Sequence, residues 1–172
     1  FFDDTLQMNL SYYNVDFEDL QLRERRLLIP GDQTSAAIVI ENAAEAEIKG
    51  VDMEFIYLPT EGLTLSGTYS YLDTEVVDSN ADSSIIVGSR LPRAPKNAWT
   101  LAAEYTFLVG AGELSLRGDY RYTGEQFFDV NEQAPGEEKG YGIFDARVAY
   151  TSDEGKWGVS LWAKNLDRKS VV

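Results

Sequence analysis

The stretch that decides the fold runs from Asn97 to Gly124 and reads NAWTLAAEYTFLVGAGELSLRGDYRYTG. Apolar and polar residues alternate from Trp99 to Phe107, and the alternation resumes from Leu114 to Tyr122. Because successive side chains of a strand point to opposite faces, both halves are predicted to be strands with one apolar and one polar face. The short Val109–Gly112 segment between them predicts a turn, so the stretch forms a hairpin.

Aromatic residues stand at both ends of these apolar ladders, and a third ladder runs from Leu63 to Tyr71. Eight residues at roughly 3.3 Å each, tilted near 40°, cover about 20 Å, which is close to the apolar band of an outer-membrane barrel. Two aromatic belts separated by aliphatic residues are typical of the two interfaces of a membrane. The predicted belt residues are Tyr57, Tyr71, Trp99, Tyr105, Phe107, Tyr122, Tyr150 and Trp157.

The opposite face of the same strands carries full charges and is predicted to face the lumen of a barrel. The lumen-facing charged residues are predicted to be Glu104, Arg117, Asp119, Arg121, Asp145 and Arg147. Their alternating signs favour cross-strand ion pairs on one wet face. A hydrolase that uses paired carboxylates is the competing interpretation of these acids.

The composition excludes several classes of protein. A net charge of −14, from 29 acidic and 15 basic residues, argues against nucleic-acid binding, which needs clusters of Lys and Arg. The absence of His and Cys rules out Ser-His-Asp and Cys-His catalysis and the usual zinc ligands. We therefore predict no enzyme, no cofactor and no catalytic or metal-binding residues. The segment 78–82 begins like a calcium loop, but Ser83 and Ser89 replace the Gly and Glu that such a loop needs.

The connections between the predicted strands alternate in length. Seven antiparallel strands are predicted, at 5–23, 38–58, 63–76, the two arms of the opening hairpin, 142–151 and 157–166. The long loops are 27–36, 77–96 and 129–140, and the short turns are 59–62, 109–112 and 152–156. Short periplasmic turns and long extracellular loops are typical of an up-and-down transmembrane β-barrel, although seven strands do not close one.

Two segments within the predicted strands depart from simple alternation, so that other features must decide their predicted structure. Residues 41–49 are rich in Ala and Glu, which favour a helix, but they show no period of 3.6 and continue into a clear strand. We therefore predict a strand there. Along the first strand the alternation blurs between Tyr13 and Leu22, which indicates a β-bulge or a section above the membrane.

Four sequence pieces, in this order, resemble the C-terminal barrel of the TonB-dependent outer-membrane receptors. They are Asn42-Ala43 through Ile48–Glu54, Gly88–Pro95, Tyr141–Arg147 and Trp157–Leu166. The resemblance implies a barrel of roughly 22 strands, plugged by an N-terminal domain, in the Gram-negative outer membrane. It also implies import of iron–siderophore complexes or similar bulky nutrients, with the TonB complex, the plug domain, the ligand and outer-membrane lipid as partners.

The ends of the chain depart from that family pattern. The sequence starts at Phe1 and contains no initiator Met or signal peptide, and it ends at 168–172, where the family continues through a further hairpin to a last strand with a terminal aromatic residue. We therefore predict that 1–172 form a partial barrel domain, truncated at both ends, without the plug and the final strand.

Two other interpretations compete with the receptor. A complete small barrel of about eight strands, with a structural or adhesive role, would need one more strand. A secreted carbohydrate-binding β-sandwich would bury its apolar face, so that matched aromatic rims would have no physical reason.

Overall fold

The computed structural model describes residues 4–80, 85–130 and 136–167, and these are almost entirely β-strand. The described strands are β1 (Leu6–Leu27), β2 (Ala36–Thr60), β3 (Leu63–Ser79), β4 (Asn97–Val109), β5 (Gly112–Thr123), β6 (Gln126–Phe127), β7 (Glu137–Glu138), β8 (Tyr141–Ser152) and β9 (Gly158–Ala163). Two short 3-10 turns, Gln33–Ser35 and Asp153–Gly155, complete the described elements. No helix in the described part of the chain is long and apolar enough to cross a membrane.

Seven of these strands form one antiparallel sheet in the order β1-β2-β3-β4-β5-β8-β9. Strands β6 and β7 pair only with each other and lie in the connection between β5 and β8. Because spatial neighbours follow one another along the chain, the sheet has up-and-down topology. The predicted fold class is confirmed, and the described sheet is an open wall with β1 and β9 at its edges.

The tight turns at one end of the sheet close as predicted. In the β4–β5 hairpin Val109 pairs with Gly112, and Gly110 adopts a positive φ of 62°. Between β2 and β3 Thr60 pairs with Leu63, and Gly62 has a φ of 77°. Position 62 favours glycine because a Cβ there would collide with the carbonyl oxygen of Thr106 on β4.

The first hairpin is longer than predicted. Strands β1 and β2 stay paired up to Leu27 and Ala36, so that the connection is shorter than the predicted 27–36 loop. Continued antiparallel pairing satisfies the backbone groups that a loop would leave to water. The segment 41–49 lies within β2, as predicted from its lack of helical period. The predicted bulge is confirmed, since the β1–β2 register shifts on both sides of Leu20 and Asp19 has a φ of 55°.

The last strand is shorter than predicted. Strand β9 begins at Gly158, because the N–H of Ser152 donates to the carbonyl oxygen of Trp157 (2.9 Å) and closes the turn there. It ends at Ala163, and Asn165 has a φ of 53°. The N–H of Leu166 still donates to the carbonyl oxygen of Phe144 on β8 (2.9 Å). The predicted final residues 168–172 lie outside the described residues.

The buried core is small and lies at the long-loop end of the sheet. Ala44, Val76, Ile85 and Val130 are each less than a tenth exposed, and Leu91 packs against them. We refer to these five residues as the loop core. Ala44 and Val76 are paired residues of β2 and β3, at the long-loop ends of these strands. Ile85 and Leu91 come from the connection between β3 and β4, and Val130 comes from the connection between β5 and β8.

Candidate functional site

One face of the sheet is apolar from strand to strand. The register aligns Leu10, Met53, Tyr69, Trp99 and Tyr122 in one row across β1 to β5. Many of the large side chains on this face are exposed, for example Leu101 (49%) and Leu161 (72%). We refer to it as the apolar face. A contiguous exposed apolar surface of this extent marks contact with another apolar phase rather than with water.

The predicted aromatic belt residues lie at the two ends of the apolar face. At the long-loop end, the Trp99 ring stacks on Tyr122 with centroids 5.6 Å apart. At the short-turn end, Tyr105 stacks on Phe107 (5.3 Å), and Tyr150 contacts Trp157 (5.4 Å). The two remaining belt residues pair with small or aliphatic neighbours: Tyr57 lies opposite Leu65, and Tyr71 lies opposite Val51 and Asn97.

The other face is concave and charged. Its depression has a volume of about 470 Å³ and is lined by residues from all strands from β1 to β8 of the main sheet. Arg117 lines it and donates to Glu104 (3.1 Å) and to Asp119 (2.6 Å). Arg121 lies 3.6 Å from Asp145 on the next strand. We refer to this surface as the polar face.

Between β5 and β8 the polar face has one basic row and one acidic row, each made of two residues of like sign. Arg117 is directly opposite Arg147, and Asp119 is directly opposite Asp145, on the neighbouring strands β5 and β8. Like charges in direct opposition are unfavourable, so each basic row needs the acidic row beside it. The pair of Arg117 with Asp119 is therefore formed within one strand, whereas its pair with Glu104 crosses to β4.

Uncharged and acidic side chains extend this polar face toward β1. Asn9 donates to Glu54 (2.6 Å), Thr68 and Thr100 share a hydrogen bond (2.7 Å), and Ser70 donates to Asp52 (2.6 Å). Their alternate positions along β1 to β4 predict this face for all of them, although none was among the predicted charged residues of the lumen. The described residues contain no group of three acids positioned to hold a metal ion.

Three basic residues stand over aromatic rings at the long-loop end, and sequence reasoning missed them. Arg90 lies over Phe127 (4.6 Å), Arg93 over Phe128 (5.8 Å) and Lys96 over Tyr71 (5.5 Å). Hydrogen bonds of the Lys96 ammonium to Asp73 and Tyr71 raise the pKa of Lys96. A basic residue recurs at every third position from 90 to 96, and this pattern in the sequence could have been used to predict them.

The calcium-loop pattern is only partly visible. Residues 81–83 of that pattern lie outside the described residues. Ser89, at the position where such a loop needs a bidentate Glu, is buried, and its hydroxyl donates to the carbonyl oxygen of Ile86 (2.6 Å).

An antiparallel up-and-down wall, apolar with aromatic ends on one face and charged on the other, defines a segment of a transmembrane β-barrel. The sequence profile described as "TonB dependent receptor-like, beta-barrel" matches residues 1–166. The chain belongs to this TonB-dependent receptor family.

The chain is also similar to individual proteins that are named as receptors. The metal-pseudopaline receptor CntO of Pseudomonas aeruginosa is 40% identical over 70 residues, which are 41% of this chain and 10% of that protein. The ferric yersiniabactin uptake receptor FyuA from Yersinia pestis superposes on 96% of the chain with a TM-score of 0.76 and 19% identity. The siderophore receptor PiuA from Acinetobacter baumannii superposes on 98% with a TM-score of 0.72 and 22% identity. The chain spans 23% of each of these two solved receptors.

Proposed function

We propose that this chain is part of the barrel wall of an outer-membrane active transporter. In this proposal the complete protein imports ferric siderophores or similar bulky metal complexes into a Gram-negative cell and draws energy from the TonB complex. The observation that carries the proposal is the two-faced wall, which gives one surface to lipid and one to a polar interior. The names of CntO and FyuA, a metal-pseudopaline receptor and a ferric yersiniabactin uptake receptor, support the ligand class.

The two faces have distinct roles in this proposal. The apolar face contacts outer-membrane lipid, and the aromatic belts lie at its two interfaces. The polar face, which carries Arg117 and its acidic partners, faces the lumen and the plug domain. The plug and the final strand belong to other parts of the complete protein. The long loops, at the end of the loop core, face the outside and first meet the ligand.

Transport without chemistry on the ligand fits the side chains of the polar face. Glu104, Asp119 and Asp145, the acids that a paired-carboxylate hydrolase would need, contact Arg117 or Arg121. Ion pairs with guanidinium groups occupy these carboxylates, whereas glycoside hydrolysis needs two carboxyl groups that flank the substrate.

The test is uptake of radioactive iron by cells that carry the full-length gene or its deletion. We expect the deletion to abolish accumulation from at least one ferric catecholate, hydroxamate or carboxylate complex, and the plasmid-borne gene to restore it. Collapse of the proton-motive force should have the same effect as the deletion. Unchanged uptake and unchanged growth under metal limitation across these complexes would overturn the proposal, as would recovery of the protein outside the outer membrane.

A further inference from the structure

A second recess lies on the apolar face, at its long-loop end, away from the polar face. It has a volume of about 510 Å³. Three aromatic rings, those of Tyr69, Trp99 and Tyr122, lie on neighbouring strands and belong to the apolar face. Arg90, Lys96 and Glu125 line the recess beside them. Apolar rings next to cationic groups at the end of an apolar band form the combination found at a membrane–water interface.

The sequence that supplies the basic residues differs from the rest of the chain. Residues 88–99 contain Arg90, Arg93 and Lys96 and no acidic residue, although acids outnumber bases 29 to 15 over the whole chain. This acid-free segment ends at Trp99. Although the chain as a whole is acidic, this stretch is basic and is therefore suited to an anionic partner.

Backbone hydrogen bonds hold this basic segment in place from two sides. On the β3 side, the N–H of Val76 donates to Ser89 (2.9 Å) and the N–H of Leu72 donates to Lys96 (3.0 Å). On the other side, the N–H of Arg93 donates to the carbonyl oxygen of Phe127 (2.7 Å). The cationic groups are therefore presented by a fixed backbone, which lowers the entropy cost of binding.

The basic residues in the recess can exchange their acidic partners for another anion. The Arg90 guanidinium lies 3.2 Å from Glu125, and the Lys96 ammonium lies 3.2 Å from Asp73. The four side chains are between 29% and 53% exposed, and exposed salt bridges contribute little to stability. A phosphate group can therefore replace a carboxylate as partner, and Arg binds phosphate with a bidentate geometry that favours this replacement.

We propose that this recess binds the phosphorylated headgroup of a lipid in the leaflet that surrounds the long-loop end of the barrel. Arg90 and Lys96 contact the phosphate, and the rings of Tyr69, Trp99 and Tyr122 pack against the adjoining sugar and acyl groups. The occupant is a lipid and not a free anion, because the rings lie on the apolar face. The inference rests on the proposed function only for the membrane position of that face.

The experiment uses the full-length receptor, purified in detergent and titrated with diphosphorylated lipid A while bound lipid is counted by native mass spectrometry. The double variant Arg90→Gln/Lys96→Gln is expected to bind this lipid at least fivefold more weakly than the wild type. Dephosphorylated lipid A should bind both proteins equally weakly. The matched control is Lys156→Gln, because Lys156 is also paired with an acid, Glu154 (2.6 Å), but lies at the short-turn end.

A heat-shift gel shows whether each variant is folded, and the conservative variant Arg90→Lys/Lys96→Arg should retain binding. Equal binding by the wild type and the double variant, or inorganic phosphate binding as tightly as the lipid, would overturn the inference. Iron uptake separates this failure from a failure of the proposed function. A receptor that imports iron but shows no Arg90- and Lys96-dependent lipid binding refutes the inference alone, and a protein that does not reach the outer membrane refutes both.

Discussion

The two ends of the same sheet are built differently. At the short-turn end the strands form a regular ladder whose large side chains remain exposed, among them Leu116 and Val148. At the long-loop end the same strands enter the loop core, where Val76 is completely buried. In our proposal lipid covers the ladder, whereas the residues of the loop core cover one another, so that this end can face water.

This difference shows that exposure alone does not tell which substitutions a position tolerates. Leu101 on β4 and Val77 on β3 are almost equally exposed, at 49% and 45%. In our proposal the first contacts lipid and the second contacts water. The predictions below test whether the medium or the exposed fraction decides the energy of a change.

The largest effect is expected for Leu101→Arg in the middle of the apolar face. A charge placed near the midplane of the membrane costs about 2–4 kcal/mol of folding free energy in a barrel. The measurement is urea unfolding of the full-length receptor in lipid vesicles. The matched control, Val77→Arg, should change the free energy of unfolding by less than about 0.5 kcal/mol, since it stays in water. Equal losses in the two variants would show that both positions share one medium.

The next effect is expected for Val76→Ala in the loop core. Removing two buried methyl groups and leaving a cavity should cost about 2 kcal/mol locally. The readout is hydrogen exchange of peptides that cover 70–80 and 85–95, which should speed up while the ladder at 112–123 stays protected. Val77→Ala, one residue further on, serves as the control and should leave exchange unchanged. Faster exchange in the ladder as well would mean that the two ends unfold as one unit.

A smaller effect is expected on the polar face. The Glu104–Arg117 pair is more than a third exposed on both sides, so a double-mutant cycle with Glu104→Gln and Arg117→Gln should give a coupling below about 1 kcal/mol. The measurement is again unfolding in vesicles. A coupling of several kcal/mol would show that the plug excludes water from this pair.

The smallest effect concerns the turn at Asp32, beyond the ladder. The Thr34 hydroxyl (2.6 Å) and the Thr34 N–H (2.9 Å) donate to the Asp32 carboxylate and lower the pKa of Asp32 below its usual 3.8. A lowered pKa stabilises the turn above the ordinary value, and this stabilisation is lost as the pH falls through the lowered pKa. An NMR titration with labelled aspartate should show that Thr34→Val raises the pKa of Asp32. An unchanged pKa would contradict the role of the hydroxyl.

Most strands of the sheet could be predicted from the sequence, whereas few of its charge pairs could. Strict alternation from Trp99 to Tyr122 predicted the central hairpin, because a period of two directly encodes which face a side chain takes. The length of β1 and β2 beyond the ladder was missed, since residues near 27 and 36 alternate poorly and only the pairing partner reveals the strand. The stacking of Arg90 on Phe127 joins residues 37 positions apart in the chain, which no local pattern encodes.

The chain order of the sheet has a consequence for biogenesis. Each described strand of the wall hydrogen-bonds to the strand next to it in sequence, with only the small β6–β7 pair intervening before β8. Closing such hairpins costs little chain entropy, because the two-residue turns at Gly62 and Gly110 bring the partners together at once. Assembly can therefore proceed by adding one hairpin after another, and at each stage the strand added last forms the edge on which the next one pairs.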